Sequence, residues 1–149
     1  IASPTCGYPE AAMSAKTPAR DAALINASLE LAAERGGDLT EAIYARLFRE
    51  RPEFGPLFVM DTNGAVRGEM LARAFDTLFD FIGERAYAHH MISAEASNHD
   101  AYNVPRTSFS RFFAIISETV RDACGADWST ETAAAWGNML ADLDRFVGA

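Results

Sequence analysis

His99-Asp100-Ala101-Tyr102-Asn103-Val104-Pro105 is the stretch on which the reading of this chain turns. It sets a histidine ahead of an aromatic, a β-branched residue and a proline. Proline pre-sets the backbone angle of a first helical turn, so a helix is expected to open at Pro105. A long stretch of helical composition leads up to the histidine. The segment therefore reads as a corner between two helices, with an imidazole at the end of the first. An imidazole held there against an apolar surface offers one nitrogen to a flat iron macrocycle. His99 is the candidate axial ligand.

The flanking sequence is helical in both directions. Downstream, Phe109, Phe112, Phe113, Ile116 and Val120 recur at three- and four-residue steps until Gly125. Ser129 caps a last helix, with Glu131 in its first turn and Trp136, Met139, Leu140, Leu143, Phe146 and Val147 on its inner face. Upstream, 86–98 is helical in composition but weakly periodic. Asn63-Gly64 signals a turn, and a helix is expected from about Ala65 with Leu71, Ala74, Phe75, Leu78 and Ile82 on one face. Pro52–Phe58 is too short and too broken for a long helix and reads as a tight helical corner. Before it, Asp38 with Glu41 three residues later reads as a capping pair, followed by a stripe of Leu39, Ile43, Leu47 and Phe48. A first helix runs from Arg20 to Gly36-Gly37, its face marked by Leu24, Ala27, Ser28 and Leu31. No alternating strand of convincing length occurs, so the expected fold is all-α. Residues 1–19, with Pro4, Gly7, Pro9 and Pro18, read as an N-terminal arm, and 20–149 as a single domain. Met13 is a candidate native start.

Composition narrows the function. The chain has 149 residues, 49% of them hydrophobic, which suits one domain with a substantial core. A net charge of −8 argues against nucleic acid and against an anionic membrane surface, both of which favour basic patches. It favours a small-molecule ligand or a protein partner. No apolar run approaches the ~20 residues that span a bilayer. The first dozen residues lack the basic start and apolar centre of a secretory signal, so a cytoplasmic location is expected. Two cysteines, Cys6 and Cys124, make neither a disulfide framework nor a metal-ligand cluster.

Four segments in order carry a family resemblance that runs from about Leu24 onward. They are Ala42-Ile-Tyr44 through Pro52 to Phe58; Gly68-Glu69-Met70-Leu71-Ala72-Arg73-Ala74-Phe75; the His99–Pro105 corner; and Ala134-Ala135-Trp136 through Leu143. Together they resemble a globin, and are most similar to the single-domain globins and the globin part of flavohaemoglobins in bacteria. The resemblance implies a three-on-three helical sandwich, a haem b with its iron, and oxygen or nitric oxide as the diatomic ligand. Residue by residue, it makes His99 the proximal ligand and sets Phe58 against the macrocycle. Tyr44 becomes a distal phenol and Arg67 the distal gate, with Val66 and Gly68 as alternatives for the gate. Leu71 falls one turn later, over the ligand. Phe75, Tyr102, Val104 and Phe109 complete the expected cofactor-binding set.

The residues themselves carry their own expectations. Arg67, Leu71, Phe75 and Leu78 are spaced to share one helix face, which is expected to point inward. A guanidinium there needs a partner, and a haem propionate or the bound ligand would supply one. Tyr44, beside Leu47 and one turn before Phe48, is expected to be buried and to seek an acceptor. His89 and His90 are expected to be solvated. Glu95 lies one turn before His99, where globins keep an apolar residue, so either the proximal helix is displaced or Glu95 hydrogen-bonds the histidine. Flavohaemoglobins orient the proximal histidine with a tyrosine and a glutamate. Phe109 stands at the tyrosine position, and the glutamate position falls at or beyond Val147–Ala149. Gas binding is therefore the first expectation, and dioxygenation of nitric oxide with electrons from a separate reductase the second. The rival from another class is a haem-free sensor or interaction module on the same fold. A peroxidase ranks third, because no histidine base stands on the distal side.

Overall fold

Six α-helices and two 3-10 segments follow one another in a computed structural model that describes residues 16–147. They are α1 (Ala19–Gly36), α2 (Thr40–Glu50), a 3-10 corner (Pro52–Phe58), α3 (Ala65–Ile82), α4 (Ala88–Asp100), α5 (Arg106–Cys124), a 3-10 turn (Gly125–Asp127) and α6 (Thr130–Val147). No strand occurs among the described residues, so the fold is all-α as expected. The N-terminal arm up to residue 15, with Cys6 and Met13, lies outside the described residues.

The helices start and stop for local chemical reasons. Ser129 Oγ accepts the Thr132 N–H at 3.0 Å, the cap expected for α6. Gly64 sits at φ 73°, a left-handed angle that suits glycine, and ends the turn that launches α3. Asp38 works differently from the expected capping pair. Its carboxylate accepts the Thr40 N–H at 2.9 Å, two residues on, and Glu41 takes no part. That contact holds the Asp38 carboxyl below its usual range, the Thr40 hydroxyl contributing most and its N–H next.

Helix α5 is the hub. It packs against α1, α2, α4 and α6, while α3 packs against α4 and α2, and α1 also crosses α6. The hub position follows from its apolar width: Phe113, Ile115, Ile116 and Val120 are all buried. Each such side chain removed from water contributes roughly 1.5–3 kcal/mol before entropy is charged against it. The buried face of α1 is Ile25, Ser28, Leu29 and Ala32, one residue later than expected for all but Ser28. Ser28 belongs there because its hydroxyl accepts the Trp136 Nε1–H at 2.9 Å and donates to the Ile25 carbonyl at 2.7 Å. Leu24 and Leu31 flank that stripe and are only partly buried.

Two side-chain clamps set the angle of α4, the helix that carries His99. Asp80, near the end of α3, accepts the backbone N–H groups of Ala86, Tyr87 and Ala88 at 3.0, 2.9 and 2.7 Å. Arg85 stacks on the Phe81 ring and pairs with Asp142 of α6. The start of α4 is thereby tied to two other helices.

Candidate functional site

The His99 corner is held by its own backbone. The His99 carbonyl accepts the N–H groups of both Tyr102 and Val104 at 3.0 Å. Asn103, at φ 59°, takes the left-handed conformation that an asparagine tolerates. The chain reverses over four residues and starts α5 at Arg106, with Pro105 as its cap. The imidazole is then oriented from below. Its Nδ1 lies 2.7 Å from the Glu95 carbonyl, which can only accept, so Nδ1 carries the proton. In the neutral ring Nε2 then keeps its lone pair, the form in which imidazole ligates a metal. Phe109 packs edge-on against the ring at 5.1 Å, fixing its tilt.

Tyr44 is 2% exposed and sits among aromatic rings. Phe48, Phe58 and Phe112 lie 5.7–5.9 Å from its ring centre. Its hydroxyl donates to the Arg67 carbonyl at 2.9 Å. Burial pushes the phenol well above its ordinary range, against a smaller opposing pull from Arg67, so it stays a neutral donor.

The Arg67 guanidinium is engaged within its own chain. Its Nε donates to Asp61 Oδ2 at 3.1 Å, and its backbone N–H donates to the same oxygen at 3.0 Å. Asp61 Oδ1 accepts the Val66 N–H at 3.0 Å. Asp61 is buried, and burial alone would raise its carboxyl. The Val66 and Arg67 N–H groups and the guanidinium instead hold it below the usual range. The structure gives Arg67 a carboxylate of its own chain as a partner.

His99 and Tyr44 both line a cavity of about 950 Å³. Of the site residues expected from the sequence, Tyr44, Phe58, His99, Tyr102, Val104 and Phe109 line it together. Arg67, Leu71 and Phe75 do not. The cavity face of α3 is Val66, Met70, Ala74 and Thr77 instead. One residue is about 100° around a helix, so the cavity stripe lies beside the expected face, of which Leu71, Ala74, Leu78 and Ile82 are buried in the core. Leu71 goes into the core at 3% exposure, and Phe75 packs against its edge. Val66, one of the two alternatives for the gate, is the one on the lining.

Two residues on the lining, Met70 and Ser108, and one behind it, Asp61, were not singled out from the sequence. Met70 follows Val66 by one turn, a spacing as regular as the one chosen. Asp61, though outside the cavity, holds the first turn of α3, and a carboxylate just ahead of an Asn-Gly turn was its signal. Ser108 is a polar residue beside a phenylalanine run, and it faces the cavity. Its hydroxyl is buried without a hydrogen-bond partner among the described residues. Glu95 also lines the space, and so do Glu69 and Arg73 on α3.

These residues fit a haem. The volume lies at the upper end of the ~300–1,000 Å³ that small-molecule and cofactor sites occupy. The walls are largely apolar and aromatic, one imidazole nitrogen is unprotonated, and an unsatisfied hydroxyl awaits a polar partner. Arg73, 62% exposed and 3.8 Å from Glu69, is a cation on the lining for an acidic edge of the group. Among the described residues no three His, Cys, Asp or Glu side chains gather to hold a bare ion. No helix among them is long and apolar enough to cross a membrane.

A family model described as Globin matches residues 41–145, more than two thirds of the chain. No curated protein and no solved structure matches it.

Proposed function

The chain belongs to the globin family, with its all-α, three-on-three fold, and we propose that it binds haem b through His99 and, on the haem, oxygen or nitric oxide. The observation that carries this reading is the 2.7 Å contact from His99 Nδ1 to the Glu95 carbonyl. It leaves Nε2 as the free nitrogen of an imidazole on the cavity wall. Haem supplies an iron that takes up a diatomic gas; the protein supplies orientation and dryness.

The remaining residues fit that task. Phe109 and the Glu95 carbonyl hold the imidazole plane. Phe58, Val104 and Met70 exclude water. Tyr44 is a neutral buried donor on the cavity wall, able to serve a polar ligand once it leaves the Arg67 carbonyl. We assign the chain to the bacterial single-domain globins, similar to the globin part of flavohaemoglobins, on the strength of Tyr44, Phe58 and the His99–Pro105 corner. Dioxygenation of nitric oxide, with electrons from a separate reductase, is the enzymatic extension of this reading.

Titration with haemin tests it. The protein is expected to take up haem stoichiometrically and to give an intense Soret band. His99→Ala is expected to weaken uptake, and added imidazole to restore the band shape. A folded wild-type protein that takes up no haem overturns the proposal.

A further inference from the structure

We infer that Glu95 is a positioning residue whose carboxylate makes His99 a stronger electron donor than its backbone contact alone would. The inference rests on the haem reading above and assigns a role to one residue within it.

Glu95 brings an acceptor and a nearby charge to one N–H. Its carbonyl lies 2.7 Å from His99 Nδ1, and its carboxylate Oε2 lies 4.0 Å from the same atom. The carboxylate is 30% exposed and lines the cavity rather than reaching away from it. Among the described residues no Lys or Arg pairs with it, and the group it approaches is the His99 ring. A half-buried, unneutralised carboxylate is costly beside an apolar cavity unless a neighbour gains from it. The neighbour here is an imidazole N–H. Negative charge on the non-ligating nitrogen raises the basicity of the other, and axial-ligand electronics set the potential of a haem iron. Phe109, the other group against the ring, has no polar atom to contribute. The charge that acts on His99 therefore comes from one turn earlier on its own helix.

The test compares haem-reconstituted wild type, Glu95→Gln, Glu95→Leu and the surface control Glu84→Gln, whose side chain is 88% exposed. The iron–histidine stretch of the ferrous, gas-free form is read by resonance Raman, and the midpoint potential by redox titration. Both Glu95 variants are expected to lower the stretching frequency. They are also expected to raise the ferrous-to-ferric ratio at fixed potential about tenfold, which is 59 mV for one electron. Glu84→Gln is expected to change neither. Glu95→Leu places an apolar side chain against the cavity, so it answers the question if Glu95→Gln folds poorly. Frequencies and potentials equal to wild type in haem-loaded variants overturn this inference and leave haem binding intact. A wild-type chain that takes up no haem overturns both.

Discussion

The Tyr44 hydroxyl donates to the Arg67 carbonyl across 2.9 Å, joining the middle of α2 to the first turn of α3. The same turn is held from its other side by Asp61, through the backbone of Val66 and both the backbone and side chain of Arg67. The junction of α2 and α3 is thus closed by one phenol and one carboxylate, and both act on the helix backbone. Any use of the Tyr44 proton by a ligand is an exchange of one acceptor for another.

That exchange limits what Tyr44 can contribute. A net hydrogen bond is worth roughly 0.5–1.5 kcal/mol, and the bond to Arg67 must be given up to make the new one. Tyr44→Phe is therefore expected to speed release of bound gas by only about three- to tenfold. The same variant is expected to lose about 0.5–1.5 kcal/mol of stability in the haem-free protein. Stopped-flow release rates and urea unfolding check the two halves. An unchanged release rate removes Tyr44 from ligand stabilisation.

Val66 and Arg67 separate in the same way. Val66 lines the cavity; Arg67 is occupied by Asp61. Val66→Gln, which puts a donor at the gate, is expected to slow gas release by up to about tenfold. Arg67→Ala is expected to leave release within about twofold of wild type. Its pair is a third exposed on the arginine side, so the variant is expected to cost about 0–1 kcal/mol of stability. Flash photolysis of both variants decides between the two faces of α3. A large kinetic effect from Arg67→Ala alone would restore Arg67 to the gate.

The contrast shows where sequence is informative. The His99 corner, the Ser129 cap and the Asn63-Gly64 turn are encoded by neighbours within a few residues, and each was legible. So was the aromatic stripe of α5, because no other face of that helix is as apolar. The core face of α3 was legible too, Leu71, Ala74, Leu78 and Ile82 being buried as expected, but its cavity face was not. Val66, Met70, Ala74 and Thr77 recur as regularly as Arg67, Leu71, Phe75 and Leu78, and period alone cannot choose between them. Asp61 captures the Arg67 side chain and holds the Val66 N–H, and Val66, though half exposed, is the one of the two that touches the cavity. Ser108 was hidden for a related reason: a serine beside phenylalanines looks like a solvated position until the cavity is known.

Trp136 and Ser28 form a buried polar pair between α6 and α1, with exposures of 1% and 6%. Ser28→Ala leaves the indole N–H buried without an acceptor, at an expected cost of about 1–3 kcal/mol. Removing the indole as well, in Ser28→Ala with Trp136→Phe, removes the orphaned donor. The double variant is then expected to be more stable than the sum of the singles implies, a coupling measurable by a double-mutant cycle in urea. Strict additivity would show that the hydrogen bond contributes nothing.

Acid should loosen the helix that carries His99 by way of Asp80. Burial alone would raise the Asp80 carboxyl, but the N–H groups of Tyr87, Ala88 and Ala86 hold it below its ordinary range. The unfolded chain, with an ordinary aspartate near 3.9, then binds a proton at higher pH than the folded chain does. Stability from this contact is complete above that value and is lost as the pH falls through the lower, folded value. Asp61 follows the same sign at the start of α3. The urea midpoint is therefore expected to hold steady above about pH 5 and to drop below about pH 4. Asp80→Asn removes one source of that drop, so its curve is expected to start lower at neutral pH and fall less steeply. Its amide exchange is expected to quicken first at Ala86–Ala88, where the lost acceptor stood. A variant curve parallel to wild type through the acid limb would show that the Asp80 cap is not what acid breaks.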